Sequence, residues 1–308
     1  MSSQKLSNER FLVLSGHAPI HEFVRYIKTR STDGQRADDV ALTREWRQAN
    51  ARLKEAVATD PKQVEMESLE PLAPHLAKQA DDTLAQSKGS KALEFLPHRW
   101  ANVELDRLIV WQKYVNLGYA NSIRDTLPPK PTDQQILQLA AGDRGEAPAV
   151  HVNALGSNSF AFSSRSNDLR VLGAVPLDPR NVSGYEPYGN AAAVLAVYVG
   201  YGVNVMWAVR MGNRVMLANG THRAYALRAH GVTHVPCVVS EVTTRDDLDL
   251  LGLPEGAKNN ESYFTRPRPP MLRDFFDERL CKCIPVTRNQ HLIQLDLKFE
   301  RLKFPAYQ

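Results

Sequence analysis

The stretch from Val203 to Val239 constrains this chain most, because its apolar pattern switches from a strand period to a helix and back within one short span. Val203, Val205, Trp207 and Val209 alternate with Asn204, Met206, Ala208 and Arg210, and a period of two predicts a strand. Gly212-Asn213 supplies a tight hairpin turn, since glycine accepts positive φ at the first central position. Arg214–Ala218 returns as the partner strand. A short helix is predicted from Thr221 or His222 to His230, stopped by Gly231 as a left-handed cap. Val232–Val239 reads as a further strand, with Pro236 favouring an edge or a bulge.

The junction inside this unit is Asn219-Gly220-Thr221-His222-Arg223. The first N–H groups of a helix lack intrahelical partners, and the helix dipole leaves partial positive charge beside them. A phosphate placed there meets those amides. Gly220 permits close approach of the backbone, Thr221 can cap the helix or donate, and His222 and Arg223 add side-chain donors. The same five residues also read as a capped turn carrying an exposed His and Arg.

The run Leu217–Val239 resembles the signature of ParB/sulfiredoxin-like domains: a strand, a Gly-x-His-Arg turn, an Ala-rich helix, a Gly stop and a Val-Pro strand. Val103-Glu-Leu-Asp-Arg-Leu-Ile-Val-Trp-Gln112 is similar to the segment that opens such domains. The resemblance implies an α/β (α+β) mixed-sheet domain over 96–245 with an internal insertion. Members include CTP-binding segregation switches, free-serine kinases, sulfinic-acid reductases and proposed nucleases. Their common theme is a nucleotide or phosphate at the helix start, which falls here on Gly220, Thr221, His222 and Arg223, with Asn219 beside them. ATP, ADP or CTP, with Mg²⁺, is the implied cofactor class, and a nucleotide or phosphorylated small molecule the implied partner. The reductases carry cysteine where this chain has Thr221. The segregation proteins continue into a helix-turn-helix, whereas residues 241–308 read here as a helical stretch and a hairpin.

Glu104 and Asp106 are candidates for a catalytic base or a magnesium ligand, with His222 stabilising developing charge. Positions two apart on a strand share a face, so both carboxylates can enter one pocket; they equally suit surface charge at a sheet edge. Gln112 can orient a ligand or cap a loop. His98-Arg99-Trp100 can support the site or pack a linker. Three readings follow: a phosphotransferase or nucleotide hydrolase, a non-catalytic nucleotide-sensing interaction module, and a DNA nuclease.

Upstream, Ile20, Phe23, Val24 and Ile27 form a helical stripe, Val40–Val57 a second helix ending at Thr59-Asp60-Pro61, and Leu69–Leu84 a third, so 1–95 reads as mainly helical. Gln86–Ser90 suits a linker. Thr132 can cap a helix over Asp133–Ala141, and Ala149–Ala154 and Ser159–Ser163 read as strands. Pro176–Pro187 reads as a loop and Ala191–Val199 as a buried helix. In 246–308, a helix-like Met271–Leu280 precedes a β-hairpin of Cys281–Thr287 and His291–Phe304 around Arg288-Asn289-Gln290.

Other patterns exclude more than they assign. The longest apolar stretch, Ala191–Val209, is broken by Gly200, Gly202 and Asn204, too soon for a membrane span. The first ten residues lack a secretory signal, and three cysteines do not make a disulfide framework, so a cytoplasmic chain is expected. A formal charge of +4 is mild, and Lys and Arg are scattered, so charge runs do not indicate nucleic acid. Cys281-Lys-Cys283 has no second ligand pair for zinc, Cys237 lies in an apolar strand, and His17 and His21 flank Pro19 with no Glu after the first. No metal ligands are therefore assigned. Trp46, Trp100, Trp111 and Trp207 read as core.

Overall fold

The computed structural model describes residues 8–59, 63–86, 96–142, 148–166, 168–184, 189–201, 204–250 and 262–303, and these form helices and four sheets of the mixed α/β class. Two compact units divide the chain: Met1–Arg144 with Val203–Arg288, and Gly145–Gly202 with Asn289–Gln308. These cut across the segments 1–95, 96–245 and 246–308, because strand pairing joins residues far apart in sequence. Among the described residues no helix is long and apolar enough to cross a membrane.

In the first unit, β1 (Asn8–Leu14) is the middle strand of a three-stranded sheet, antiparallel to β12 (Cys281–Thr287) on one side and β4 (Tyr114–Asn116) on the other. Helix α1 (Ile20–Arg30) follows the apolar stripe, burying Phe23 and Ile27, one turn apart, against Val13, Ile284 and Val286. Leu42 of α2 (Asp39–Thr59) completes that cluster. Next come α3 (Pro74–Gln86), which starts at a proline as helix N-termini tolerate, and α4 (Leu117–Arg124), capped by Asn116. Helix α5 (Asp133–Ala140) opens with a full capping box, in which Thr132 and Gln135 satisfy each other's backbone N–H.

The larger sheet of this unit runs β2 (His98–Glu104), β11 (His234–Glu241), β9 (Trp207–Met211), β10 (Arg214–Asn219), β3 (Ile109–Val110). The turn at Gly212-Asn213 joins β9 to β10 as the sequence predicts, and α6 (Thr221–Ala229) links β10 to β11. The expected strand from Val203 starts only at Trp207, and Val203 itself lies outside the described residues. Strand β11 pairs on both sides, yet holds Pro236. Val238 donates its N–H to Met206 O, so position 236 faces the same side, ahead of the first β9 pair at Val238↔Trp207. The missing donor thus falls where no strand pairs. Leu105, Leu108, Leu217, Leu227 and Met206 form the core beneath, all fully buried.

The second unit contains β5 (Val150–Ala154), β6 (Ser159–Ser164) and β13 (Leu292–Asp296) in the order β13-β6-β5, and a ribbon of β7 (Leu169–Leu177) with β8 (Val194–Tyr201). Four expectations are corrected, across both units. The apolar run Ala191–Val199 is not a buried helix: Val194 onward is strand β8, and Leu195 is 64% exposed. An apolar run without clear period fits either element, and its valines and Tyr198 favour a strand. The stretch Pro176–Pro187 is partly strand, since β7 continues to Leu177. The C-terminal hairpin does not form: β12 pairs with β1 and β13 with β6. Alternation marks a strand without naming its partner. Residues 271–280 take two 3₁₀ turns, Leu272–Phe276 and Glu278–Leu280, rather than one α-helix.

Candidate functional site

At the strand–helix junction, β10 ends with Asn219 and Gly220 turns the chain at φ +107°. A Cβ there would lie 2.8 Å from Met206 Cγ, so glycine is required both by the backbone and by a buried methionine pressed against it. Asn219 Nδ2 donates to Val205 O at 2.9 Å, and Thr221 is buried.

Arg223 is 4% exposed. Its Nη1 donates to Leu139 O (3.1 Å), Ala140 O (3.2 Å) and Asn204 O, and its Nη2 to Asn204 Oδ1 (3.2 Å). Leu139 and Ala140 end α5, where carbonyls lack intrahelical partners and the helix dipole favours a cation. His222 turns elsewhere: its Nε2 accepts the Asn116 N–H at 3.0 Å, and the Tyr119 ring meets it edge-on at 5.2 Å. Because a backbone N–H can only donate, the neutral imidazole carries its proton on Nδ1. Adjacent helical residues point about 100° apart, and here each has its own protein partner. The expected convergence of Gly220, His222 and Arg223 on one anion is therefore not what the side chains form. None of the clefts described below is lined by 219–223.

Glu104 and Asp106 are not brought together. Strand β2 ends at Glu104 and a 3₁₀ turn, Leu105–Arg107, follows, so the alternation that would align them stops between the two. Glu104 pairs with Arg107 at 2.8 Å and lines a cleft of about 430 Å³ with Glu65, Glu67 and Glu70. Asp106 pairs with Arg228 and lines a different cleft. A shared magnesium site does not fit that arrangement. Gln112 Nε2 donates to Tyr114 O, the loop-capping role, while His98 Nδ1 meets Leu96 O and Trp100 is buried. Cys237 is fully buried, which pushes its thiol up to about 12. Burial likewise raises the Cys281 thiol, which donates to Asp274 O. Among the described residues no group of three or more His, Cys, Asp and Glu is placed to hold a metal.

The clearest concentration of positive side chains lies at the other end of α6. A cleft of about 390 Å³ is lined by Arg52, Arg228, Arg268 and Arg273, with Asp106, Asp274 and Asp277 among them and Phe276 on its wall. Arg52 Nε donates to Asp277 Oδ2 at 2.8 Å. Arg228 grips Asp106 with Nε (2.7 Å) and Nη2 (3.2 Å), and its guanidinium lies 4.8 Å over the Phe276 ring. Arg268 and Asp274 form a buried pair, joined by His17 Nε2 (2.9 Å) and the Met271 N–H (2.9 Å). Burial opposes ionisation of Asp274, but the His17 hydrogen bond and charge, with Arg268, hold its carboxyl below the usual range. At Asp277 burial again acts upward and is outweighed by hydrogen bonds from Arg279 and Arg52, giving about 2. Each aspartate so fixes a guanidinium plane while using only some of its five N–H donors. Nη2 of Arg52 and Nη1 of Arg228 hydrogen-bond to none of the described residues.

These arginines escape sequence reading because they arrive from α2, from α6 and from the stretch Arg268–Arg273, with no spacing to link them. Fold and site define a mixed α/β protein with a guanidinium-lined cleft. Comparison with family models, with curated proteins and with solved structures finds no match to this chain.

Proposed function

We propose that this chain is a ParB/sulfiredoxin-like phosphate- or nucleotide-binding protein that holds its anionic ligand in the arginine cleft beside Arg228. The fold part of this reading is supported by the succession β10, left-handed Gly220, α6, Gly231 and β11 with its Val235-Pro236. One observation carries the function: four guanidiniums from three separate segments line one cleft against three aspartates. Its volume of about 390 Å³ is within the range of small-molecule sites. Guanidiniums match phosphate oxygens with planar, paired donors. Binding rather than phosphoryl transfer is the activity this favours, because His222, Glu104 and Asp106 each have separate partners and do not share a pocket.

Isothermal titration with ATP, ADP and CTP, with and without Mg²⁺, tests the reading. Binding of at least one nucleotide below millimolar concentration is expected, weakened at least tenfold in the double variant Arg52→Gln/Arg273→Gln and retained in His222→Ala. No binding at millimolar concentration by the folded protein overturns it. Loss in His222→Ala with retention in the arginine double variant returns the ligand to the start of α6.

A further inference from the structure

The second unit turns its apolar side chains outward, and we propose that its free β8 edge and apolar sheet face bind a second copy of this chain. Among the described residues of this unit, Ala161 and Leu169 are the only buried apolar side chains. Of the twelve large apolar side chains exposed among the described residues, ten belong to it. In the sheet β13-β6-β5, Ala154, Phe160 and Leu295 make one cross-strand row. Val152, Phe162 and Ile293 make the next row on the same face. None of these six is buried. A sheet face of that composition ordinarily packs on another layer. The β7–β8 ribbon has no polar face to turn to water either. Arg170 is the only charged residue in its two strands. Leu195 on one face is 64% exposed, and Tyr198 on the other 50%. A two-stranded ribbon is marginal in water until something packs on it.

The outer edge of β8 is where a further strand fits. β8 bonds to β7 on one side, and among the described residues no strand takes the other. Open edges are ordinarily blunted by charge, proline or a bulge. β7 has Pro176 and a register shift between Val171 and Gly173, whereas Val194–Tyr201 has no charged residue and no proline. Charge and area decide the occupant. β8 offers nothing to pair with a charged partner, and laid antiparallel on its own twin it brings no like charges together. Interfaces between identical chains are the more apolar class, resembling a domain core cut in half. Ten large side chains, each roughly half exposed, present area on the order of 800 Å², what one partner gives a standard interface. A two-fold axis beside β8 joins two ribbons into one four-stranded sheet, and each unit gains from its copy the cover it lacks.

The test is sedimentation velocity of the full chain over a dilution series from tens of micromolar downward. A species of twice the chain mass is expected. In Leu195→Lys/Tyr198→Lys, which sets like charges against each other across the two-fold, dissociation is expected to strengthen more than about tenfold. Val40→Lys, at an apolar residue 66% exposed on α2, is expected to leave the dimer unchanged. A parent protein that stays monomeric at tens of micromolar overturns the proposal. If that monomer instead floats with neutral phospholipid vesicles, the apolar face belongs to lipid and the proposal falls equally. A dimer untouched by the double variant, or dissociated by Val40→Lys, places the interface elsewhere and overturns it. Should the double variant lose the parent's circular dichroism, hydrogen exchange of the parent decides. Amides of 194–201 are expected to lose protection as the dimer is diluted apart, and protection that ignores dilution overturns the β8 edge.

Discussion

Replacing Arg223 separates the two roles a buried guanidinium at a helix start can play. If it is a structural plug, Arg223→Ala removes a charged donor from Leu139 O, Ala140 O, Asn204 O and Asn204 Oδ1 at once. The acceptors do not suffer equally. Ala140 O keeps the Met206 N–H at 2.6 Å, and Leu139 O keeps the Gly142 N–H at 3.2 Å. Asn204 O has Arg223 as its donor, so it bears most of the loss. A hydrogen bond to a charged group contributes about 1.5–3 kcal/mol, and an orphaned buried acceptor costs about 1–3 kcal/mol. With the space left by a side chain only 4% exposed, the destabilisation comes to roughly 3–5 kcal/mol. Arg223→Lys keeps the charge but presents one ammonium to a fan of acceptors, and is expected to lose about half as much. Urea-induced unfolding followed by intrinsic fluorescence measures both. An exposed ligand-binding arginine would change stability by only about 0.5 kcal/mol in either direction. A loss under about 1 kcal/mol in Arg223→Ala would refute the plug.

Two more outcomes follow from the same region and from the cleft. Gly220→Ala forces a side chain into φ +107° with its Cβ 2.8 Å from Met206 Cγ, and is expected to cost about 1–3 kcal/mol; thermal unfolding equal to that of the parent would contradict it. Asp277, held at about 2 against an ordinary 3.8, contributes stability that is complete above the ordinary value and is lost as the pH falls through about 2. Asp277→Asn is therefore expected to be less stable near neutrality and to flatten the acid limb of the stability profile. An acid limb as steep as the parent's, in circular dichroism melts from pH 6 to pH 2, would refute that assignment.

The elements legible in the sequence are those fixed by neighbours along the chain. Phe23 and Ile27 announce α1 by spacing alone, Thr132 and Gln135 close a capping box within one turn, and Gly212-Asn213 joins strands that need no other information. What was hidden depends on partners supplied from afar. Val194–Tyr201 has the composition of either element until β7 pairs with it, and Cys281–Thr287 alternates equally well whether it meets β13 or β1. The candidate site divided in the same way. Gly220 and its left-handed turn were readable, since the strand and helix flanking them are local. The direction of Arg223 was not, because the carbonyls that turn it inward end a helix more than eighty residues upstream. The separation of Glu104 from Asp106 was hidden by a single 3₁₀ turn that interrupts a run still strand-like in composition.

The pairing of β1 with β12 has a consequence for how the chain reaches its folded state. Asn8 faces Thr287 and Leu14 faces Cys281, so β1 waits during synthesis for a mate made far later in the chain. Until then one long flank of β1 offers bare amide and carbonyl groups to any extended peptide nearby. Contacts of such sequence separation are slow to close. The interval of synthesis between these strands is thus when nascent chains are most exposed to mispairing, and when a chaperone would have most to protect.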